Sequence, residues 1–377
     1  MATGTPVTHL AVPRADRLTI AMVAPPWYPL PPQGYGGIEL VVSLLANGLR
    51  DRGHRVVLFG ADDSTDEVVG LAPASWRADL GYVHNQGLRD VTYAARVLNH
   101  LTDDVDHVDV IHDHAGLSML ATAHAGHVAP VLHTVHGPVT EALATALASL
   151  TKDTALVAIS DSQREPAPWL PWIATVPNAV DLDSLTYLPA ADKEDYLLVL
   201  ARICPDKGQH TAIEVARRAG MRLVLAGKID PGHEDYFRAR IAPHIDGTRV
   251  RWIKNVAGAE KAQLLAKASA LLAPITWAEP FGLSMVEAMA CGTPTIAFRL
   301  GSVPELVTNG ATGFIVDTVD EMVSAVGAIS TIDPARCSLM ARDRFSAGAM
   351  VNGYLGAYRQ LLAMHRAGGG SRESVTA

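Results

Sequence analysis

The feature that most constrains this chain is an alternation that runs once, stops and starts again. "RLTIAMVAP" reads as a strand, and "HRVVLFG" as the next one. Between them "GGIELVVSLLANGLRDRG" reads as a helix, with Leu40, Leu44, Leu45 and Leu49 spaced near one face and Gly53 as its stop. "VDVIHDH", "PVLHTVHG", "ALVAIS" and "IATVPNAV" follow, each preceded by a helix-compatible segment. Steady alternation of this kind predicts a parallel sheet covered on both faces. A polar, turn-rich stretch, "VDLDSLTYLPAADKED", then interrupts the pattern, and "YLLVLAR" begins a second set. That set runs through the helix "GQHTAIEVARRAG", the strands "RLVLAG" and "RVRWI", the helix "GAEKAQLLAKAS" and the strand "ALLAPI". A helix around Glu287, then "PTIAF", "VPELV", "GFIVD" and a helix from Val319 complete it.

The reading is therefore α/β, with two doubly wound, Rossmann-like domains whose boundary falls near residues 181–194. At 377 residues the chain is too long for one ordinary core and suits two. Domain pairs of this type bind ligands in the crevice between them, at the carboxyl ends of the strands. The helix-rich segment Ala335–Arg366 either ends the second domain or crosses back to the first, and the tail "AGGGSRESVTA" reads as disordered.

Bulk composition excludes several function classes. A chain 49% hydrophobic and 19% charged is globular, and a formal net charge of -8 makes nucleic acid a poor partner. Cys204, Cys291 and Cys337 form no CxxC pair, which suits a reducing cytoplasm and small core residues. "MATGTPVTHLAVPRADRLT" lacks the charged and apolar regions of a signal peptide, and no window is apolar for long enough to span a membrane. Peripheral membrane contact stays open on these grounds.

Four places can carry chemistry. In "LARICPDKGQH", Arg202 and Lys207 flank a Pro-Asp turn at a strand end, and Gly208 opens a helix. Two cations beside free helix N–H groups suit a diphosphate, and equally a solvated surface turn. In "WAEPFGLSMVEAMACGTPTIAF", Glu279 precedes a helix and Glu287 lies inside it. Ionised carboxylates accept several hydrogen bonds from hydroxyls, and Glu287 has so apolar a setting that it needs a partner if buried. Phe281, Gly282, Leu283 and Ser284 stand where that helix begins. In "PPQGYGGIELVV", Gly34, Gly36 and Gly37 let backbone approach a ligand, but Glu39 stands where the third glycine of a dinucleotide fingerprint would fall. The missing fingerprint disfavours an oxidoreductase. Finally His112, His114, His133 and His136 lie near two strand ends. No third or fourth ligand follows at a telling spacing, so a metal site is not expected. His136, before Gly137-Pro138, is placed to meet substrate or to be structural. Trp27, Tyr28, Tyr35 and Trp76 offer an apolar acceptor surface, with core packing the competing fate.

Taken together, these segments resemble the retaining GT-B glycosyltransferases of family 4 over nearly the whole chain. "EPFGLSMVEAMACGTP" resembles the family's E-x7-E signature, and "LARICPDKG" is similar to its Arg…Lys-Gly donor-phosphate turn. "GYGGIELVVSLLANGLRDRGHRVVLF" looks like its N-terminal glycine loop and helix. "VPNAVDL" resembles its interdomain segment, with Ala179 where glycine is usual. "PPQGYGG" and "IHDHAG" also resemble a subgroup that includes antibiotic-tailoring enzymes of the avilamycin type.

The resemblance implies an acceptor-side domain over residues 1–183, joined by a C-terminal helix within 348–366, a nucleotide-sugar-binding domain over 184–347, and a flexible tail over 367–377. It implies that Arg202 and Lys207 bind the donor diphosphate, that Glu287 holds the ribose, and that Glu279 contacts the transferred sugar with the backbone of Phe281, Gly282, Leu283 and Ser284 nearby. Gly36 and Gly37 would approach the phosphate, and His136 would sit beside the sugar. The expected activity is transfer of a hexose-type sugar, with retention, from a UDP- or GDP-linked donor to a hydroxyl of a glycan, lipid or natural product. The nucleotide sugar is a substrate; no cofactor and no metal are expected. The alternatives are another GT-B enzyme, such as a nucleotide-sugar epimerase or a phosphorylase, and a non-catalytic nucleotide- or glycan-binding protein. A glycosidase also needs two carboxylates, but it has no use for a phosphate turn.

Overall fold

The computed structural model describes residues 17–34, 36–65, 67–80, 83–126, 128–150 and 154–369. Two wholly parallel sheets organise them. The first contains β1 (Thr19–Val23), β2 (Arg55–Ala61), β3 (Val68–Ala72), β4 (Val110–Asp113), β5 (Val131–Val135), β6 (Thr154–Ala158) and β7 (Trp172–Thr175), in the order β3-β2-β1-β4-β5-β6-β7. The second contains β8 (Tyr196–Leu200), β9 (Arg222–Ala226), β10 (Val250–Ile253), β11 (Ala270–Ala273), β12 (Thr295–Phe298) and β13 (Gly313–Val316), in the order β10-β9-β8-β11-β12-β13. These are the two doubly wound α/β domains expected from the alternation. The strand β3, "VVGLA", and the short helix Val303–Leu306 within "VPELV" are finer features that the apolar runs did not separate.

Each sheet is apolar on both faces because each is covered twice. Ile20 and Met22 enter one core with the helix Gly37–Arg50, while Ala21 and Val23 enter another on the opposite face. Tyr196 and Leu198 likewise face one core, and Leu197 and Val199 the other. This period of two within uninterrupted apolar strands is what two-sided burial demands. Trp27 and Trp76 are buried in the first domain's core, so they do not form an acceptor surface. Tyr28 lies under the cations of Arg77 and Lys228, and Tyr35 falls outside the described residues. Cys204, Cys291 and Cys337 are free and buried.

The C-terminal segment serves both domains. The helix Pro334–Arg344 buries Cys337 and Ala341 in the second domain's core. The chain turns at Phe345, whose carbonyl accepts from Val180 N at 3.1 Å. The following helix, Ala347–Gly369, sinks Met350, Val351, Tyr354, Tyr358 and Leu361 into the first domain's core. It lies so close to the helix Gly37–Arg50 that a Cβ on Gly48 would stand 2.7 Å from Val351 Cγ2. Of the tail over 367–377 expected to be flexible, Ala367, Gly368 and Gly369 continue the helix Ala347–Gly369, and residues 370–377 lie outside the described residues. Among the described residues, no helix is long and apolar enough to cross a membrane.

Gly48 provides a test of this docking. Gly→Ala inside a helix normally stabilises by about 1 kcal/mol. Here the added methyl meets Val351, and overpacking of this kind costs about 1–3 kcal/mol. Gly48→Ala is therefore expected to lower the thermal midpoint despite its better helix propensity. A raised midpoint would show that the two helices are not held at this distance.

Candidate active site

In both sheets the strand order reverses once, between β1 and β4 and between β8 and β11. Loops leaving the carboxyl ends of such strands diverge to opposite faces and leave a crevice. Most of the candidate residues emerge at these points. Gly36 and Gly37 follow β1, His114 follows β4, Arg202 and Lys207 follow β8, and Glu279 through Glu287 follow β11. His136 follows β5, next to β4.

The loop after β8 closes against the loop after β11. Residues Pro205–Lys207 form a single 3-10 turn, and Gly208, at φ 65°, starts the helix Gln209–Ala219. A side chain on Gly208 would place its Cβ 1.9 Å from the Pro274 carbonyl oxygen, so both the backbone twist and the contact require glycine. Thr276 N donates to Asp206 O at 2.9 Å and ties the same two loops. The result brings the Lys207 ammonium onto the Glu279 carboxylate. Trp277 completes the group: its Nε1 donates to Glu279 Oε2 at 3.0 Å, and its ring lies 5.1 Å from Lys207 Nζ. Arg202 pairs with Asp230, and its carbonyl accepts from Gln209 Nε2 at 2.8 Å.

Glu287 has a different partner. It lies in the helix Leu283–Ala290, 7% exposed, and Lys261 Nζ meets its Oε1 at 2.7 Å. That lysine, on the helix Gly258–Lys267, meets the need for a counter-charge that the apolar surroundings of Glu287 impose. The helix starts at Gly282, with φ 95°, and Phe281 is buried with its carbonyl accepting from Ser302 Oγ at 2.5 Å. Leu283 and Ser284, in the first turn, stay partly exposed.

The glycine loop of the first domain reaches this helix. A Cβ on Gly37 would stand 3.1 Å from Leu283 Cδ1, and one on Gly34 would stand 3.9 Å from Ala257 Cβ. Glu39 is buried in the first turn beyond the loop, near Gly36. Burial pushes its pKa up to about 7, against smaller lowering effects from its own backbone N–H and from Arg77. Away from the strand ends, Glu305 of the second domain accepts from Asp161 N at 2.7 Å and Ser162 N at 2.8 Å in the first.

The histidines form one connected cluster. His136 Nε2 lies 2.9 Å from His114 Nδ1, and His133 Nδ1 donates to Asp113 Oδ2 at 2.7 Å. His112 bonds Tyr358 OH at 2.7 Å and Thr134 Oγ1 at 2.9 Å, which links the cluster to the C-terminal helix. Burial, with the His133 charge adding to it, holds His136 down at about 3. Among the described residues no group of three or more His, Cys, Asp or Glu side chains is arranged to hold a metal ion.

The structure thus joins Lys207 to Glu279 and Gly37 to Leu283, while Arg202 engages Asp230, Glu287 engages Lys261 and His136 engages His114. Nothing in the sequence marks Lys261, Asp230 or Trp277 as partners of these residues. Only the apolar setting of Glu287, which demanded some cation, pointed toward one of them.

Comparison with known proteins agrees with this layout. A model described as "Glycosyltransferase Family 4" matches residues 35–184, and one described as "Glycosyl transferases group 1" matches residues 187–334. The phosphatidyl-myo-inositol mannosyltransferase of Mycolicibacterium smegmatis is 28% identical over 371 residues, covering 86% of this chain and 88% of its own length. The crystal structure of AviGT4, a glycosyltransferase involved in avilamycin A biosynthesis, aligns with TM-score 0.68 and 26% identity, over 92% of this chain and 98% of that one. A sucrose-phosphate synthase from Thermosynechococcus elongatus shares the fold at TM-score 0.74 and 20% identity, over 92% of this chain and all of its own. With one family model matching the first domain from residue 35 onward and the other matching the whole second sheet, the chain belongs to the GT-B glycosyltransferases of family 4.

Proposed function

We propose that this glycosyltransferase moves a hexose, with retention of configuration and without a metal ion, from a UDP- or GDP-linked donor to an acceptor hydroxyl. The observation that carries this reading is the Lys207–Glu279–Trp277 group packed beside the start of the helix Leu283–Ala290. It sets a cation, a hydroxyl-binding carboxylate and free helix N–H groups at one strand edge. The similarity to a mannosyltransferase over most of the chain supports a hexose as the transferred group.

Breaking the bond between sugar and phosphate builds positive charge on the ring and negative charge on the departing diphosphate. Arg202 and Lys207 supply fixed cations for that leaving group, and the helices that begin at Gln209 and Leu283 aim their N–H groups and dipoles at it. In the unliganded protein Glu279 neutralises Lys207. When the diphosphate arrives it takes over part of that role, and Glu279 turns its acceptor oxygens to sugar hydroxyls. Glu287, oriented by Lys261, holds the ribose hydroxyls. Gly37 brings first-domain backbone against Leu283, where it reaches the phosphates as the domains close and exclude water. His136 stands beside the sugar. Fixed cations at the leaving group make a divalent ion unnecessary, and charge-matched nucleotide sugar is the substrate these groups select.

Lys207→Ala is expected to lower kcat/KM for transfer by about 100-fold or more, the size of effect seen when one donor to a developing anion is removed. The thermal midpoint should fall only modestly, since both side chains of the Lys207–Glu279 pair keep some contact with solvent. Transfer at the wild-type rate would remove Lys207 from the site. A second expectation concerns metal: transfer measured in excess EDTA should match transfer in magnesium. An absolute requirement for a divalent ion would contradict leaving-group stabilisation by protein cations.

A further inference from the structure

We propose that His114 is a positioning residue for His136, donating from Nδ1–H to His136 Nε2 and so fixing His136 as a hydrogen-bond donor through its other nitrogen. This rests on the reading of His136 as a residue beside the transferred sugar. The two ring nitrogens lie 2.9 Å apart, with the ring centroids 5.2 Å apart. Two neutral rings can share that bond in two ways, and the choice decides what His136 offers to a substrate.

The surroundings of His114 favour one of them. Its ring is 4% exposed, and its Nε2 is buried without a hydrogen-bond partner. If His136 donated the shared bond, His114 would have to carry its own proton on Nε2, as a buried N–H with nothing to receive it. If His114 donates, Nε2 is only a bare lone pair. Orphaned buried N–H groups are rarer than under-satisfied acceptors, so the proton belongs on His114 Nδ1. His136 Nε2 is then the acceptor, and its proton sits on Nδ1, the ring nitrogen that this half-buried residue has left to offer a ligand.

The arrangement is held from below. His114 lies against His112 at 4.0 Å between centroids. His112 is locked by Tyr358 OH and Thr134 Oγ1, and Thr134 Oγ1 is itself 3.1 Å from Tyr354 OH. Both tyrosines belong to the helix Ala347–Gly369. Burial also keeps both histidines of the pair far below the usual imidazole range, so the pair is neutral at working pH and one tautomer persists. A neutral donor can hydrogen-bond a sugar or phosphate oxygen. With its only acceptor nitrogen committed to His114, it cannot serve as a general base.

The test is long-range proton–nitrogen NMR of the histidine rings in the full chain, assigned with His136→Gln, together with transfer kinetics. The wild-type protein should show His136 protonated on Nδ1 and bare on Nε2. His114→Asn, whose amide N–H falls where the imidazole Nδ1–H was, should preserve both the His136 signal and kcat. His114→Phe, which keeps the ring but has no N–H, should lower kcat by about tenfold to a hundredfold with donor KM unchanged, and His136 should then sample both tautomers. A wild-type His136 protonated on Nε2 would overturn the proposal, as would unchanged kcat in a folded His114→Phe variant. Full transfer by His136→Ala would instead overturn the reading of His136 at the sugar, and the ring-nitrogen signals would still decide the tautomer.

Discussion

A parallel sheet sends every strand out through the same edge, and that constraint shapes the rest of this molecule. Both sheets reverse their strand order once, so each opens a crevice at one place on that edge. The phosphate turn, the glutamate helix, the glycine loop and the histidine cluster are separated widely in sequence. The turn after β8 meets the loop after β11, and the glycine loop after β1 reaches the helix Leu283–Ala290, while the histidine cluster forms where the adjacent strands β4 and β5 end. The C-terminal helix keeps the two halves in register. It leaves the second domain at Phe345, fills the first domain's core, and hands two tyrosine hydroxyls to the strand ends.

Charge follows from that placement. The diphosphate site proposed here needs cations, and partly buried cations need carboxylates until a ligand comes. Each proposed donor contact here has such a companion: Arg202 with Asp230, Lys207 with Glu279, and Glu287 with Lys261. These pairs are only partly buried, so removing one member leaves a charge that water still reaches, and a ligand of like charge can take the missing member's place. On the proposed reading, the pairs hold the side chains in place and a donor exchanges for one member of each. The histidine cluster obeys the opposite rule. Burial keeps His112, His114 and His136 neutral, and neutral hydrogen bonds order those three, while His133 beside them is held by the Asp113 carboxylate.

The sequence was most legible where physics is local. Alternating strand and helix periods, with a polar break near residues 181–194, foretold two parallel-sheet domains. The helix start at Gly282 and the turn before Gly208 were visible because glycine next to a strand end has few other uses. What was not legible depends on distant packing. "VVGLA" is too short and too weakly patterned to separate from the loop around it. Trp27 and Trp76 carry no mark that separates a core tryptophan from a surface one. Lys261 sits on an ordinary amphipathic helix, and only the fold brings it to Glu287, 26 positions later. The His114–His136 contact joins the ends of β4 and β5 by strand pairing, which no spacing in "VIHDHAG" or "VLHTVHG" announces.

In the proposed reading the second domain holds a nucleoside diphosphate through Glu287, which Lys261 orients. Calorimetric titration of the purified chain with UDP, GDP and ADP, beside a folded Glu287→Ala variant, tests it most directly. The wild-type protein should bind UDP or GDP saturably, and the variant should lose that binding. Binding of the same nucleotide with unchanged affinity by the variant would contradict it.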